Sequence, residues 1–237
     1  PLDFPHEKYF FAGDTFFGRG IFQKFSDDAR REKMLAAILE ITRGAKMIVN
    51  LEGVIRENCG APRNDYELCI PLDFALPIFR ELNIVAASLA NNHRHDFGVA
   101  GLDEMQKLLA ENSIDFFSAG EIFEFPEFEL AALTDLDNFG IPRYWPLIRD
   151  EDLEFVAKNS AKPLFAFLHF GSEFVTEPNR RDRELLQKLR DRGVEFVIGA
   201  HSHRASELFC EPDFCSIFSL GNFIFDQPWE KTSGKIL

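Results

Sequence analysis

Three features of the sequence predict an α/β fold. Short apolar runs recur along the chain, helical patterns lie between them, and no Ser/Gly/Pro-rich linker or charge block divides it. The runs are Tyr9-Phe10-Phe11-Ala12, Met47-Ile48-Val49, Ile84-Val85-Ala86-Ala87, Leu164-Phe165-Ala166-Phe167-Leu168 and Phe196-Val197-Ile198. They are continuous rather than alternating, as expected of strands covered on both faces. From Asp28 to Gly44, Met34, Leu35, Ile38, Leu39 and Ile41 form an apolar stripe, with Gly44 as the stop. Leu102, Met105, Leu108 and Leu109 repeat the pattern after Gly98, and Leu185, Leu186 and Leu189 repeat it before Gly193. Beyond Ala205 only strand patterns remain, Leu208-Phe209-Cys210 and Ser216 to Leu220, which predicts a terminal hairpin in a mixed sheet. The Phe- and Glu-rich stretch from Glu121 to Trp145 carries no assignable pattern.

The 237 residues are read as one domain spanning 1–237, and 46% hydrophobic content suffices for a sizeable core. The 27 Phe are spread through strand-like and loop-like segments alike, which marks them as core filling. A net charge of -13 sets a field against polyanions, so nucleic acid is excluded as a partner. Small anions remain possible where a metal or an arginine inverts that field. Cys59, Cys69, Cys210 and Cys215 contain no CxxC and are expected to be buried thiols, although Cys210 and Cys215 flank a turn that lets them face each other. No stretch reaches the ~20 apolar residues of a membrane span, and Pro1 to Pro5 is not a signal peptide. A cytoplasmic location is favoured, with anchoring or export of a longer protein left open.

The chemistry lies in the residues just after each apolar run. Gly13-Asp14 comes after the first and Asn50-Leu51-Glu52 after the second. The third leads to Asn91-Asn92-His93, the fourth to His169 and the fifth to His201-Ser202-His203. Ligands of α/β sheets bind outside the carboxyl ends of the strands, so these residues can converge although far apart in sequence. Four of the six histidines fall at such positions, too many for scattered surface or core residues. Asp, Glu, Asn and His without Cys suit Mn, Fe or Zn rather than a thiolate site. Two imidazoles in H-x-H spacing can approach neighbouring ions, and the two oxygens of Glu52 can bridge them.

This ordered set resembles the signature of calcineurin-like metallophosphatases. The blocks GDTFFGRG, VNLEGVI, SLANNHRHDFG, LHFGSEF, IGAHSHRASELF and FSLGNFIFDQ are closer still to the bacterial capsule-synthesis branch (CapA/PgsA-type, poly-γ-glutamate), from about Phe11 to Asp226. The resemblance implies a four-layer sandwich of two mixed β-sheets flanked by helices. It implies that Asp14 and His203 hold one divalent ion, that His169, His201 and Asn92 hold a second, and that Glu52 bridges them. His93 would then act on the substrate oxyanion and leaving group, Arg19 would neutralise an anionic substrate, and Asn222, Asp226 and Asp96 would orient ligands. Asn50 and Glu173 lie in the matching blocks without a clear role, and His95 is read as a loop residue. Phe16 stands where many relatives carry a further ligand histidine, a departure that fits the capsule branch and weakens the hold on one ion.

The implied reaction is hydrolysis of a phosphate ester by water made acidic between the two ions. The alternatives are hydrolysis or transfer at a γ-glutamyl amide on the same site, and a subunit that binds anionic polymer without catalysis. Metal content and turnover of a generic phosphoester discriminate among them.

Overall fold

The computed structural model describes residues 8–61, 66–136, 148–156 and 162–227. The chain opens with β1 (Tyr9–Thr15), a short helix α1 (Arg19–Phe25) and α2 (Asp28–Thr42). There follow β2 (Lys46–Leu51), β3 (Val54–Arg56), β4 (Cys69–Pro71), α3 (Leu72–Glu81) and β5 (Ile84–Ser88). The middle holds α4 (Gly98–Glu111), β6 (Asp115–Phe117), β7 (Ile122–Glu124) and β8 (Glu129–Thr134). The last third holds β9 (Leu164–His169), α5 (Arg180–Asp191), β10 (Val194–Ala200), β11 (Leu208–Glu211), β12 (Phe214–Ile217) and β13 (Asn222–Ile224).

Two large sheets result. One runs β13-β1-β2-β5-β6 and is parallel in every pair. The other runs β11-β12-β10-β9-β8-β7, with a parallel centre and an antiparallel strand at each edge. The second is thus the mixed sheet, and the hairpin expected beyond Ala205 is β11–β12. β3 and β4 form a separate small pair.

Side chains alternate between faces along a strand, and the packing follows that period. Ala12 of β1 and Met47 and Val49 of β2 face a core shared with Leu35 of α2, Ile78 and Phe79 of α3, and Met105 and Leu108 of α4. Ala166 and Leu168 of β9 and Val197 of β10 face a second core with Leu185, Leu186 and Leu189 of α5. The residues between them in register, Phe11, Ile48, Phe167 and Ile198, meet in a third core between the sheets. The layers therefore run helix, sheet, sheet, helix. The aromatic surplus fills the middle layer: Phe125, Phe128 and Phe165 stack at 4.7 and 5.0 Å, and Phe11 meets Phe167 edge-on at 6.1 Å.

α2 begins on Asp27, whose carboxylate accepts the N–H of Arg30, and ends with Arg43 in the left-handed region ahead of Gly44. Ile41, expected in its apolar stripe, is 61% exposed; Leu35 is the apolar residue of α2 that is fully buried. The described part of the unassigned stretch supplies β7 and β8, while residues 137–147 lie outside the described residues. The expectation of buried thiols is corrected. Cys59 pairs with Cys69 and Cys210 with Cys215, their Cα atoms 5.6 and 4.1 Å apart; the second pair face each other across β11 and β12.

One crossing ties the two sheets together. Between β12 and β13 the chain leaves one sheet for the other. On the way Leu220 N–H donates to Gly199 O, and Gly221 O accepts from Asp14 N–H, both at 2.9 Å. Gly199 and Gly13 permit this approach: a Cβ would lie 1.9 Å from Phe218 O at the first and 2.0 Å from Gly221 O at the second. The carboxyl ends of β1, β2, β5, β9 and β10 consequently open on one edge of the sandwich.

Candidate metal centre

Each strand delivers its residue at that edge for a local reason. β1 ends on Asp14 and Thr15, β2 runs into Glu52, and β9 ends on His169. After β5 the chain turns on Asn91, whose amide donates to Leu51 O and whose carbonyl accepts His93 N–H. These two hydrogen bonds present Asn92 and His93, and the first residue of the double Asn was given no role by sequence reasoning. After β10, His201 and His203 both carry positive φ, 95° and 58°. Such backbone costs of order 1–3 kcal/mol per residue and persists where the surroundings over-determine it.

Asp14, Glu52, Asn92, His169, His201 and His203 are all buried together. His201 N–H reaches Asp14 Oδ1 at 3.1 Å across the two sheets, and the rings of His169 and His201 lie 4.8 Å apart. His203 Nδ1 lies 3.2 Å from Asp14 Oδ2 and 2.7 Å from Asn222 Oδ1, with its Nε2 3.9 Å from Glu52. Asn222 in turn donates to Gln227, so its oxygen faces His203, and a proton on Nδ1 leaves Nε2 with a lone pair on the Glu52 side. Asn50 donates to Asp14 at 2.8 Å and lies 3.1 Å from His169 Nδ1; His169 Nε2 is 2.8 Å from Asn92 Oδ1. Asn50 is therefore a link between the two halves of the cluster, a role its motif alone did not disclose.

Two triads of ligand atoms lie within 4.8 Å of one another: Glu52, His169 and His201, and Asp14, Glu52 and His203. They share Glu52. Glu52 Oε2 and His201 Nδ1 are buried without a hydrogen-bond partner. Burying carboxylates and imidazoles so densely is costly unless cations join them. The donor set, oxygen and imidazole without thiolate, and the two idle buried atoms fit a bound metal cation.

The electrostatics divide the three histidines. Burial, with the charge of His201 added, pushes His169 well below the usual histidine range. Burial and the charge of His203 bring His201 down to about 3. Both rings are thus neutral, the form that binds metal. Burial opposes charge on His203. Glu52, the hydrogen bond and charge of Asp14, and the Asn222 bond outweigh it and push His203 up to about 10. Burial likewise opposes charge on Asp14, but the bond and charge of His203, the charge of His169 and the His201 N–H hold it below the usual carboxylate range. Glu52 is raised well above it by burial and by Asp14.

His93 sits at the rim, 13% exposed, with Nε2 3.8 Å from Glu52 and Nδ1 2.8 Å from Asp96. Asp96 also accepts Leu68 N–H at 2.8 Å, so it both caps a loop and orients His93. The Arg19 guanidinium makes two hydrogen bonds to Asp226, at 2.6 and 3.1 Å, and Gly20 N–H donates to the same carboxylate. The charge expected to meet a substrate is met by Asp226, whose described bonds run to the start of α1 rather than to the ligand cluster. Glu173 is exposed yet adds to the negative field on Glu52.

The sequence matches the family described as "Bacterial capsule synthesis protein PGA_cap" over residues 8–125 and 150–227. It is 23% identical over 249 residues to the "PGA biosynthesis protein CapA" of Bacillus subtilis, covering 96% of this chain and 65% of that protein. It is 26% identical over 181 residues to the "Capsule biosynthesis protein CapA" of Bacillus anthracis, covering 67% of this chain and 44% of that one. The chain thus spans less than two thirds of the length of either relative. Among solved structures, a hypothetical protein from Thermus thermophilus superposes with a TM-score of 0.53 at 15% identity, covering 90% of this chain and 76% of that one. A second protein of the same organism gives 0.51 at 10% identity, covering 90% and 89%. These structural likenesses establish the sandwich fold.

Proposed function

The chain belongs to the bacterial capsule synthesis protein family, and from that premise we propose that it is a metal-dependent hydrolase of phosphate esters, built as one metallophosphatase-like domain. The observation that carries this reading is the pair of ligand triads sharing Glu52. Asp14 and His203 would hold one divalent ion and His169, His201 and Asn92 the other, with Glu52 common to both; Mn, Fe or Zn suits the donors. Ions so held supply Lewis acidity and positive charge to a hydrolysis.

The remaining residues act around that pair. Asn50 holds Asp14 and His169 in register, and Asn222 fixes the proton of His203 on Nδ1. Asp96 holds a proton on Nδ1 of His93, leaving Nε2 at the rim to pass a proton to the departing alcohol when the ring is protonated.

A second substrate class has its own support. The Bacillus subtilis relative is named for PGA biosynthesis, which favours a γ-glutamyl amide at the same centre. The two disulfides favour an oxidising compartment over the cytoplasm expected from composition.

The test is elemental analysis of protein purified without chelator, followed by turnover of p-nitrophenyl phosphate, bis(p-nitrophenyl) phosphate and γ-glutamyl-p-nitroanilide. One to two equivalents of metal are expected (the two triads share a ligand), lost in Glu52→Ala and His201→Ala. His93→Asn should keep the metal and lose about 10²-fold or more in kcat. Absence of metal after reconstitution with Mn, Fe and Zn would defeat the hydrolase and leave a polymer-binding subunit.

A further inference from the structure

The arginine expected to meet an anionic substrate is paired with Asp226. We propose that Arg204 takes that role: its guanidinium binds an oxyanion of the substrate, a phosphate or carboxylate, beside His203. The inference rests on the hydrolase reading for its substrate and on separate observations for its residue.

Arg204 directly follows His203 and is half-buried. Its Nη1 donates to Phe174 O at 3.0 Å. The Phe174 ring lies 6.2 Å from the His203 ring, so this anchor stands at the edge of the ligand cluster. Among the described residues Arg204 forms no ion pair, although the chain carries a net charge of -13. Carboxylates claim Arg19, Arg149, Arg181 and Arg190. One of the five N–H donors of Arg204 is engaged, and the rest of the fork has the geometry that takes an oxyanion through two parallel bonds.

The backbone holds this arrangement under strain. Phe174 has φ 63° and His203 φ 58°, a left-handed conformation at both ends of the contact. Phe174 N–H is itself tied to Ser202 O at 2.8 Å, and Ser202 Oγ donates to Val175 O. The two loops are thus laced together by three hydrogen bonds, one of them from the guanidinium. Strain kept at two non-glycine residues beside a candidate site marks an over-determined geometry of the kind found at ligand clamps.

The experiment titrates inorganic phosphate, and separately a γ-linked glutamate oligomer, into metal-reconstituted and chelated protein by calorimetry. Wild type is compared with Arg204→Gln, Arg204→Lys and Arg19→Gln, with metal content and circular dichroism recorded for each. Arg204→Gln should weaken binding of one or both anions about tenfold at unchanged metal content, as loss of a charge-assisted pair does. Arg204→Lys should recover part of that loss, and Arg19→Gln should leave affinity unchanged if folded. Which anion responds identifies the oxyanion source. Equal affinity of wild type and Arg204→Gln for both anions, or no binding of either by wild type, overturns the proposal. Protein that takes up no metal but loses anion affinity in Arg204→Gln upholds Arg204 and sinks the hydrolase.

Discussion

At the scale of single residues, protons and divalent ions compete for the same atoms. His203 is held up to about 10, above the ~6.5 of an unfolded chain. Its contribution to the stability of the metal-free protein is therefore complete below pH ~6.5 and lost as pH rises through about 10. Glu52, raised by burial and by Asp14, acts in the same sense, since its buried charge appears only as pH climbs. Asp14 has the opposite sign: it is lowered, so its contribution is present above pH ~3.9 and lost as pH falls below that. Chelated protein should accordingly melt at falling temperature between pH ~7 and ~10, and His203→Gln should flatten that slope. Scanning calorimetry against pH checks both, and a flat wild-type profile contradicts the assignment. Metal uptake near neutral pH should release protons, measurable as a dependence of uptake heat on buffer ionisation enthalpy. The candidate ligand residues stand out in the sequence because each lies within a few positions of the end of an apolar run. The engagement of Arg19 with Asp226, some two hundred positions away in the chain, does not.

At the scale of elements, the site depends on the crossing from β12 to β13 and on the loop clamped by Cys59 and Cys69. Gly199→Ala would press a Cβ to 1.9 Å from Phe218 O. The clash costs about 3 kcal/mol, well above the ~0.4–1 kcal/mol that a stiffer unfolded chain returns. The melting temperature should fall by about 6–12 °C, and metal content should fall with it, because His201 directly follows β10. Thermal melts with elemental analysis decide this. Cys59→Ser with Cys69→Ser should cost about 2–3 kcal/mol for a loop of this length. It should also loosen Leu68, whose N–H holds Asp96 against His93. Turnover is then expected to fall while metal is retained; loss of both together would place the disulfide's effect on the whole cluster instead. Long runs such as β1 and β9 were readable from hydrophobicity. β3, β4, β6 and β13, three residues each, are too short to show a period. α3 carries Pro77 inside it, which masks a helix in a sequence reading.

At the scale of the whole molecule, the fold turns scattered strand ends into one cluster because each of the strands leading into it runs parallel to its neighbours. Both disulfides belong to this scale too. Protein secreted into an oxidising compartment should show no thiol titratable after denaturation without reductant, and protein kept reduced should show four; free thiols in the secreted protein would refute the pairing. What the sequence determined by itself was local and periodic: apolar runs specify strands, stripes specify helices, and oxygen and imidazole side chains after the runs mark a candidate ligand set. The tertiary structure alone decided which distant groups meet. It paired Arg19 with Asp226, Cys59 with Cys69, and Asn50 with both Asp14 and His169. Hydrogen bonds and ion pairs act over about 3 Å, and separation along the chain does not set that distance; the packing of two sheets does.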